Sequence, residues 1–291
     1  MAAEILSGKI MSESLRKEIA ERVSALKERG LTPGLAVILV GNDPASEIYV
    51  RNKGNGCAEV GMYSRTINMP EETTQEQLEA AIEQLNNDSA IHGILVQLPL
   101  PKHLDENAAL AKILPEKDVD GFHLINAGHM LTGTPGVVAC TPKGALYMIK
   151  STGVDLNGKE AVVIGRSNIV GKPMAQLMMQ KQYGDSTVTV CHSHSKTLKE
   201  ECRQADIIIA AIGQPDFVRA DMVKEGAVII DVGTTRVPDA TRKSGFRLNG
   251  DVKFDEVAPK CAMITPVPGG VGPMTICSLM LNTLKAGRTE N

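Results

Sequence analysis

Apolar and polar residues alternate along the first third of the chain in a way that predicts strands and helices in turn. Apolar residues recur at helical spacing over Ser12–Lys27, whereas LAVILV (35–40) is a short, continuous apolar run typical of a strand covered on both faces. Asp43–Pro44 mark a helix start. RTINM predicts a further strand, 74–85 a helix, and GILVQL (93–98) a strand. This order predicts a parallel sheet built from βαβ units.

The second half repeats the alternation after a polar, glycine-containing stretch. A helix is predicted at TPKGALYMIK, and four β-rich runs follow at intervals of about 20 residues: AVVIG, TVTVC, DIIIAAI and AVIIDV. That spacing is typical of a second, doubly wound sheet. The pattern therefore predicts two α/β domains with a cleft between them.

Composition narrows the classes of protein. The 291 residues suffice for two ordinary domains, and a hydrophobic content of 43% with 22% charged residues is typical of a globular protein. A net charge of -3 without a basic block argues against nucleic acid as the main partner, since phosphate binding needs clustered Lys and Arg. The chain has no metal-ligand cluster and no apolar run long enough to span a membrane.

Cysteine usage and the N-terminal segment bear on location. The six cysteines are scattered without a CxxC pair, which favours reduced thiols in a reducing compartment. The N-terminal stretch lacks an apolar signal core and carries acids that transit peptides lack. We expect a cytoplasmic protein, although an organelle of a eukaryote stays open.

A strand, a glycine turn and a helix make up AVVIGRSNIVGKPMAQLM, 161–178. Gly165 permits a sharp turn, Gly171 permits close packing, and the helix N-terminus offers free amides to a phosphate. The spacing is not GxGxxG, because Ser167 takes the place of the middle glycine, so an ordinary βα turn is the alternative interpretation.

The next strand ends in VCHSHSK, without the acid that usually holds the ribose of NAD. Arg166 and Ser193 suit a 2′-phosphate, which a carboxylate would repel, so NADP is favoured over NAD. A solvated loop arginine is the alternative for Arg166. His192 and His194 are interpreted as ordinary residues at the strand end.

Two further segments carry candidate chemistry. Tyr49 and Lys53 lie four apart on one helix face, and Gln97 follows a strand whose carboxyl end is where ligands bind in such sheets. A partly buried Lys53 with a lowered pKa could move a proton, although a surface lysine is the alternative. The loop Ile264–Thr275, with three Pro and three Gly, exposes bare backbone to a flat ligand or forms a domain-connecting turn.

Taken together, YVRNK, VQLPLP, PEKDVDGFH, VVIGRSNIVGKPM, VTVCHS and ITPVPGGVGPMT occur in an order and spacing that closely resemble the bifunctional methylenetetrahydrofolate dehydrogenase/cyclohydrolase family. The resemblance covers about Ile5 to Thr283. It implies an N-terminal folate and catalytic domain, 1–140, on which a C-terminal helix of about 275–291 packs. It implies a Rossmann-like NADP domain over 141–274, with the folate in the cleft.

The activity that the resemblance implies has two steps in one-carbon metabolism, with a link to purine biosynthesis. The first oxidises 5,10-methylenetetrahydrofolate to 5,10-methenyltetrahydrofolate with NADP, and the second hydrolyses that product to 10-formyltetrahydrofolate. Because the substrate iminium is already electrophilic, no metal is needed, and the hydride step needs positioning more than acid-base help. The resemblance also implies a homodimer.

The resemblance assigns roles to individual residues. Lys53 corresponds to the catalytic proton carrier, Gln97 to its partner, Tyr49 to the aromatic residue on the folate, and Asp120 to the carboxylate that grips the pterin. The implied cofactor residues are Gly165, Arg166, Ser167, Ser193 and Thr234. The other implied folate-lining residues are Val50, Arg51, Asn52, Val96, Leu98, Pro268, Gly269, Gly270, Val271, Gly272, Pro273, Met274, Thr275 and Ile276.

Some features depart from the family pattern, and other functions stay open. Gly54 and Gly56, just after Lys53, each cost a helix about 1 kcal/mol against Ala and put its straightness in doubt. Thr234 stands where many relatives carry Ile. The alternatives are a different NADP dehydrogenase of the shikimate-dehydrogenase type, a non-catalytic NADP sensor, and a member that has kept the dehydrogenase but lost most hydrolysis.

Overall fold

The computed structural model describes residues 3–242 and 245–289. The strands are β1 (Glu4–Ile5), β2 (Gly34–Val40), β3 (Tyr63–Met69), β4 (Gly93–Val96), β5 (Glu160–Ile164), β6 (Thr187–Cys191), β7 (Ile207–Ala210), β8 (Val228–Asp231), β9 (Thr235–Pro238), β10 (Phe246–Asn249) and β11 (Met263–Ile264). The helices are α1 (Gly8–Glu28), α2 (Pro44–Glu59), α3 (Gln75–Asn86), α4 (Glu106–Lys112), α5 (Leu124–Thr132), α6 (Cys140–Ser151), α7 (Gly171–Met179), α8 (Leu198–Gln204), α9 (Phe254–Val257) and α10 (Val271–Thr289).

The chain divides into two compact units, each with a parallel sheet. One, here called the catalytic unit after the domain that the sequence predicts there, holds Glu13–Cys140 and residues 276–289. Its sheet has the order β3-β2-β4, and every residue of β2 is buried. The buried side chains of β2 and β4 pack with those of α3, among them Leu78 and Ile82, so the predicted βαβ arrangement is confirmed.

The other unit, here called the nucleotide unit, holds Thr141–Thr275 and the described residues up to Ser12. Its parallel sheet has the order β1-β11-β8-β7-β5-β6. The four predicted strands are confirmed as β5 to β8. The pairing of β1 with β11 was not foreseen, because two residues carry too little periodicity to predict a strand. The antiparallel hairpin β9-β10 was also missed.

One predicted strand has different bounds in the structure, and one helix was not predicted. The predicted strand GILVQL ends at Val96. The Gln97 amide still donates to the Ile38 carbonyl, but Pro99 has no N–H with which to continue the hydrogen-bond ladder. The polar, glycine-containing stretch from residue 114 contains α5, for which the sequence analysis made no prediction. No described helix combines the length and the apolar character that crossing a membrane requires.

Helix α2 is continuous despite the two glycines, Gly54 and Gly56, that put its straightness in doubt. The helix runs unbroken through Gly54 and Gly56 to Glu59. A Cβ on Gly56 would lie 3.0 Å from Ile276 Cγ2 and 3.6 Å from Met280 Sδ, so α10 packs directly against the α2 backbone. A Cβ on Gly54 would meet nothing within 4 Å.

These two glycines give a matched pair of stability predictions. Gly54→Ala should raise the free energy of unfolding by about 1 kcal/mol, since it restores helix propensity in open space. Gly56→Val should lower it by about 1–3 kcal/mol, since the added methyl groups force α2 and α10 apart. Urea denaturation followed by circular dichroism measures both. Equal effects of the two substitutions would contradict the packing role of Gly56.

Candidate active site

The helix that carries Lys53 begins at a capped N-terminus directly after β2. Asp43 Oδ2 accepts hydrogen bonds from the Ser46 backbone N–H and the Ser46 hydroxyl, both at 2.8 Å. Pro44 occupies the first helical position, as the sequence predicts. The cap sets where α2 starts, and Lys53 therefore lies in the middle of the helix.

Gln97 meets Lys53 at the end of β4. The Lys53 ammonium donates to Gln97 Oε1 at 2.9 Å, and Gln97 Nε2 donates to the Leu98 carbonyl at 2.7 Å. Since the Gln97 amide hydrogens point to Leu98, its oxygen faces the lysine. The structure therefore brings these two predicted side chains into direct contact, and their joint role in catalysis stays a prediction.

Asp120 lies in a loop wound around another acid, Asp118. The buried Asp118 carboxylate accepts hydrogen bonds from the backbone amides of Gly121, Phe122 and His123 at 2.9–3.2 Å and from Asn126 Nδ2 at 2.9 Å. Sequence reasoning chose the second acid of KDVDG and passed over the first. An acid three residues before a glycine is a turn signal that could have identified Asp118 as the loop anchor.

Cys140 and Asn282 complete the cluster, and neither was singled out from the sequence. The Cys140 thiol donates to the Val119 carbonyl at 3.2 Å and hydrogen-bonds the Asp120 carboxylate. Asn282 Nδ2 donates to the carbonyls of Val119 and Val138, at 2.9 Å each. The C-terminal helix thus holds the backbone next to Asp120.

Burial and charge set the protonation of this cluster. Burial lowers the pKa of the Lys53 amine from its usual value, and the charges of Asp120 and Cys140 act against that shift. Burial likewise raises the pKa of Asp120, with Lys53 opposing. A half-buried amine with a lowered pKa, held beside an amide oxygen, suits proton transfer to and from a bound electrophile.

The other predicted folate residues of α2 and β4 differ in exposure. The Tyr49 side chain is 45% exposed, one turn before Lys53, and is free to receive a flat ring. Arg51 and Asn52 are exposed, whereas Val50 and Val96 are buried and Leu98 is partly buried. The contact of these residues with substrate stays a prediction.

The proline- and glycine-rich loop uses its bare backbone for packing. A Cβ on Gly8, at the start of α1, would overlap the Gly270 carbonyl, and the Lys9 amide donates to the Gly269 carbonyl at 3.0 Å. The predicted folate-lining residues from Val271 to Ile276 form the first turns of α10. The sequence predicts that a flat ligand could approach the backbone of this loop. In the structure, the start of helix α1 packs against that backbone.

The glycine turn after β5 has the predicted shape. Gly165 has a φ of +125°, and a Cβ there would overlap the Ala211 carbonyl oxygen. A Cβ on Gly171 would overlap the Gly165 carbonyl, in agreement with the expected close packing. The expectation of free amides needs correction, because Ser167 Oγ accepts from the Val170 and Gly171 amides at 3.2 and 3.3 Å.

The remaining predicted cofactor residues lie at the carboxyl edge of the nucleotide-unit sheet. Arg166 and Ser193 follow β5 and β6, which pair in parallel, and the Gly165 amide donates to the Cys191 carbonyl at 2.8 Å. Thr234 follows β8, and all three side chains are exposed. His192 Nδ1 accepts from the His194 amide at 3.2 Å, a local turn bond. Their contact with NADP stays a prediction.

Two family models match successive parts of the chain. The catalytic-domain model of tetrahydrofolate dehydrogenase/cyclohydrolase matches residues 6–120, and its NAD(P)-binding-domain model matches residues 139–291. The chain belongs to the tetrahydrofolate dehydrogenase/cyclohydrolase family. Lys53, Gln97 and Asp120 fall within the match to the catalytic domain, and the glycine turn falls within the match to the NAD(P)-binding domain.

Individual members of the tetrahydrofolate dehydrogenase/cyclohydrolase family are similar over nearly the whole chain. The bifunctional protein FolD of Bacteroides thetaiotaomicron is 59% identical over 98% of each chain. The crystal structure of FolD from Campylobacter jejuni covers 100% of both chains, with 46% identity and a TM-score of 0.94. The FolD of Trypanosoma brucei, solved with NADP cofactor and an inhibitor, is 40% identical, with a TM-score of 0.96 over 100% of this chain and 99% of that one.

Membership of this family excludes the alternative function as a shikimate-dehydrogenase-type enzyme.

The charges around Lys53 give a prediction about the pKa of its amine. Asp120→Asn should lower the pKa of the Lys53 amine further, because the carboxylate whose charge raises that pKa becomes neutral. The pH dependence of Lys53 acetylation, read by mass spectrometry, measures the pKa. Exposed Lys17 on α1 serves as the internal control. An unchanged or raised Lys53 pKa would contradict the coupling.

Proposed function

We propose that the protein oxidises 5,10-methylenetetrahydrofolate to 5,10-methenyltetrahydrofolate with NADP and hydrolyses that product to 10-formyltetrahydrofolate. The observation that carries the proposal is the half-buried Lys53 amine with a lowered pKa, held by Gln97 beside Asp120, in a chain of this family. A sensor that only binds NADP has no need of a buried amine with a lowered pKa. The product supplies one-carbon units, for which purine biosynthesis is the proposed use.

The hydrolysis step uses the catalytic unit. The methenyl carbon is electrophilic, so water adds to it once a base takes the water proton. Lys53 in its neutral form takes that proton and returns it to the ring nitrogen that leaves as the ring opens. Gln97 holds the amine in place through its oxygen. Asp120 holds the pterin amino group, and Tyr49 packs on the folate.

The nucleotide unit offers a cradle that fits NADP. Gly165 and Gly171 bring the turn after β5 close to its helix, so the backbone can approach a pyrophosphate. Arg166 and Ser193 stand at the ends of neighbouring strands, where a ribose 2′-phosphate would lie, and VCHSHSK has no acid to repel it. NADP, when bound, supplies the hydride acceptor for the oxidation step.

Assembly and location complete the proposal. We propose a homodimer in the cytoplasm, without nucleic acid as a partner. The relatives that support a cytoplasmic location are bacterial proteins such as the one from Bacteroides thetaiotaomicron. The homodimer is an implication of the family resemblance, and light scattering on the purified protein measures its mass.

A spectroscopic assay of the purified protein with 5,10-methylenetetrahydrofolate tests both activities. Separate runs with NADP and NAD follow the reduced cofactor alongside the methenyl product. Rapid reduction with NADP and little methenyl build-up supports the proposal. Methenyl accumulation identifies a dehydrogenase with weakened hydrolysis, and no reduction with either cofactor contradicts the proposed oxidation.

Lys53→Met should lower the cyclohydrolase rate by about 10²- to 10⁴-fold, the usual contribution of a positioned proton carrier. NADP binding should be retained, since the substitution lies in the catalytic unit. The measurement is hydrolysis of supplied methenyltetrahydrofolate, alongside a calorimetric titration with NADP. Lys17→Met on the exposed face of α1 is the control, and full hydrolysis by Lys53→Met would remove Lys53 from its role.

Arg166→Ala should weaken NADP by about 10- to 100-fold, the range for loss of a hydrogen bond to a charged group, and NAD far less. The Michaelis constants of the two cofactors measure the difference. Arg219→Ala is the matched control, because Arg219 forms an exposed ion pair with Glu256 elsewhere in the nucleotide unit. An equal loss for NADP and NAD would show that Arg166 does not recognise the 2′-phosphate.

A further inference from the structure

A pair of buried carboxylates, Asp231 and Asp251, lies at the carboxyl edge of the nucleotide-unit sheet and has no part in the chemistry described above. Asp231 ends β8, and Asp251 follows β10 by two residues. Asp231 is 4% exposed and Asp251 0%. Burial raises the pKa of both carboxyls, that of Asp231 to about 7. Burial disfavours the charged form of each carboxyl, and the backbone amides that donate to it offset part of that cost.

Asp231 ties two loops to the end of its strand. Its Oδ1 accepts from the backbone amides of Gly233 and Asp251 at 3.0 and 2.9 Å, and its Oδ2 accepts from the Val252 amide at 2.9 Å. Both carboxylate oxygens are therefore engaged. Gly233 precedes Thr234, a predicted cofactor residue, so the Asp231 carboxylate sets the path of the chain that carries it.

Asp251 ties the same segment to the end of the neighbouring strand, β7. Its Oδ2 accepts from the amides of Ile212 and Gly213 at 2.7 and 2.9 Å. Its Oδ1 is buried and accepts no hydrogen bond from any described residue. A Cβ on Gly233 would overlap that carboxylate, so the loop after β8 packs on it directly.

The loop that Asp251 holds adjoins the glycine turn. A Cβ on Gly165 would overlap the Ala211 carbonyl oxygen, and the Ala211 amide donates to the Ile164 carbonyl at 2.8 Å. A shift of residues 211–214 would therefore move the wall of the turn at which the phosphates are proposed to bind. The two carboxylates connect the loops after β7 and β8 to one another and to that turn.

We propose that Asp231 and Asp251 are positioning residues for the cofactor, which hold the loops after β7 and β8 in the conformation that binds NADP. This inference rests on the proposed NADP-dependent oxidation. It assigns the pair a role in cofactor binding and none in hydrolysis, which uses the catalytic unit.

The geometry predicts opposite outcomes for the same isosteric substitution. In Asp251→Asn, the remaining oxygen still accepts from the Ile212 and Gly213 amides, and the new NH₂ takes the place of Oδ1, to which no amide of the described residues donates. The Michaelis constant for NADP should therefore stay within about threefold of that of the unsubstituted protein. In Asp231→Asn, both carboxylate positions face backbone N–H groups, so the new NH₂ meets a donor in either orientation of the side chain. Asp251→Ala leaves the Ile212 and Gly213 amides without their acceptor. Both should raise the constant about tenfold or more.

The experiment measures the Michaelis constant for NADP in the oxidation and, separately, hydrolysis of supplied methenyltetrahydrofolate without cofactor. The expected result is a changed NADP constant for Asp231→Asn and Asp251→Ala, with hydrolysis at the unsubstituted rate in all three variants. Equal NADP constants for Asp231→Asn and Asp251→Asn would overturn the inference, as would a parallel fall of both activities. The two Asn variants decide the question even where Asp251→Ala does not fold.

Calorimetric titration with NADP separates this inference from the proposed function. An unsubstituted protein that reduces no NADP contradicts the proposed oxidation, yet the same titration still compares the variants for binding. An NADP affinity that is tenfold weaker in Asp231→Asn than in Asp251→Asn supports the positioning role in either case. Equal affinities in these two variants contradict it.

Discussion

The candidate site depends on the burial of one amine. Removing an ammonium from water is costly, and the protein offsets part of that cost with the Gln97 oxygen and the Asp120 charge. Had the structure supplied a full set of acceptors, the ammonium would be more stable and the pKa of Lys53 would lie closer to its usual value. At Lys53 the effect of burial on the pKa is larger than the opposing effect of the nearby charges, so the pKa is lowered. The proposed proton transfer depends on that lowered pKa.

The amine keeps its place because the elements around it are tightly packed. Helix α2 lies against α10 through Gly56, where a larger residue would move the turn that follows Lys53. Gln97 is held by its backbone bond to Ile38 and by its own side-chain bond to Leu98. Positioning of this kind is needed because proton transfer requires heavy atoms within hydrogen-bond reach.

The sequence predicted the regular parts of this fold well and the long-range parts poorly. Buried strands such as β2 and β8 are continuous apolar runs, and Asp43–Pro44 is a local cap signal, so both follow from neighbouring residues. Helical spacing placed Tyr49 and Lys53 on one face of a helix, and the family resemblance assigned roles to them and to Gln97. Cys140 and Asn282 were missed because they join the cluster from 20 and 162 residues beyond Asp120, a distance over which periodicity carries no information. The amides expected to be free at α7 were misjudged for the opposite reason, since the Ser167 hydroxyl satisfies two of them locally.

Both units anchor their functional loops with a buried carboxylate that accepts backbone amides. Asp118 gathers the amides of the loop that carries Asp120, and Asp231 with Asp251 gathers those after β7 and β8. A carboxylate suits this task because its oxygens accept several N–H donors that converge, whereas an apolar side chain would leave those amides unpaired. Irregular loops at the carboxyl edge of a parallel sheet have no ladder partners, so their amides must find acceptors elsewhere. A buried acid therefore supports the loop that packs around it, and one predicted ligand-binding residue in each unit, Asp120 or Thr234, directly adjoins an amide that such an acid holds.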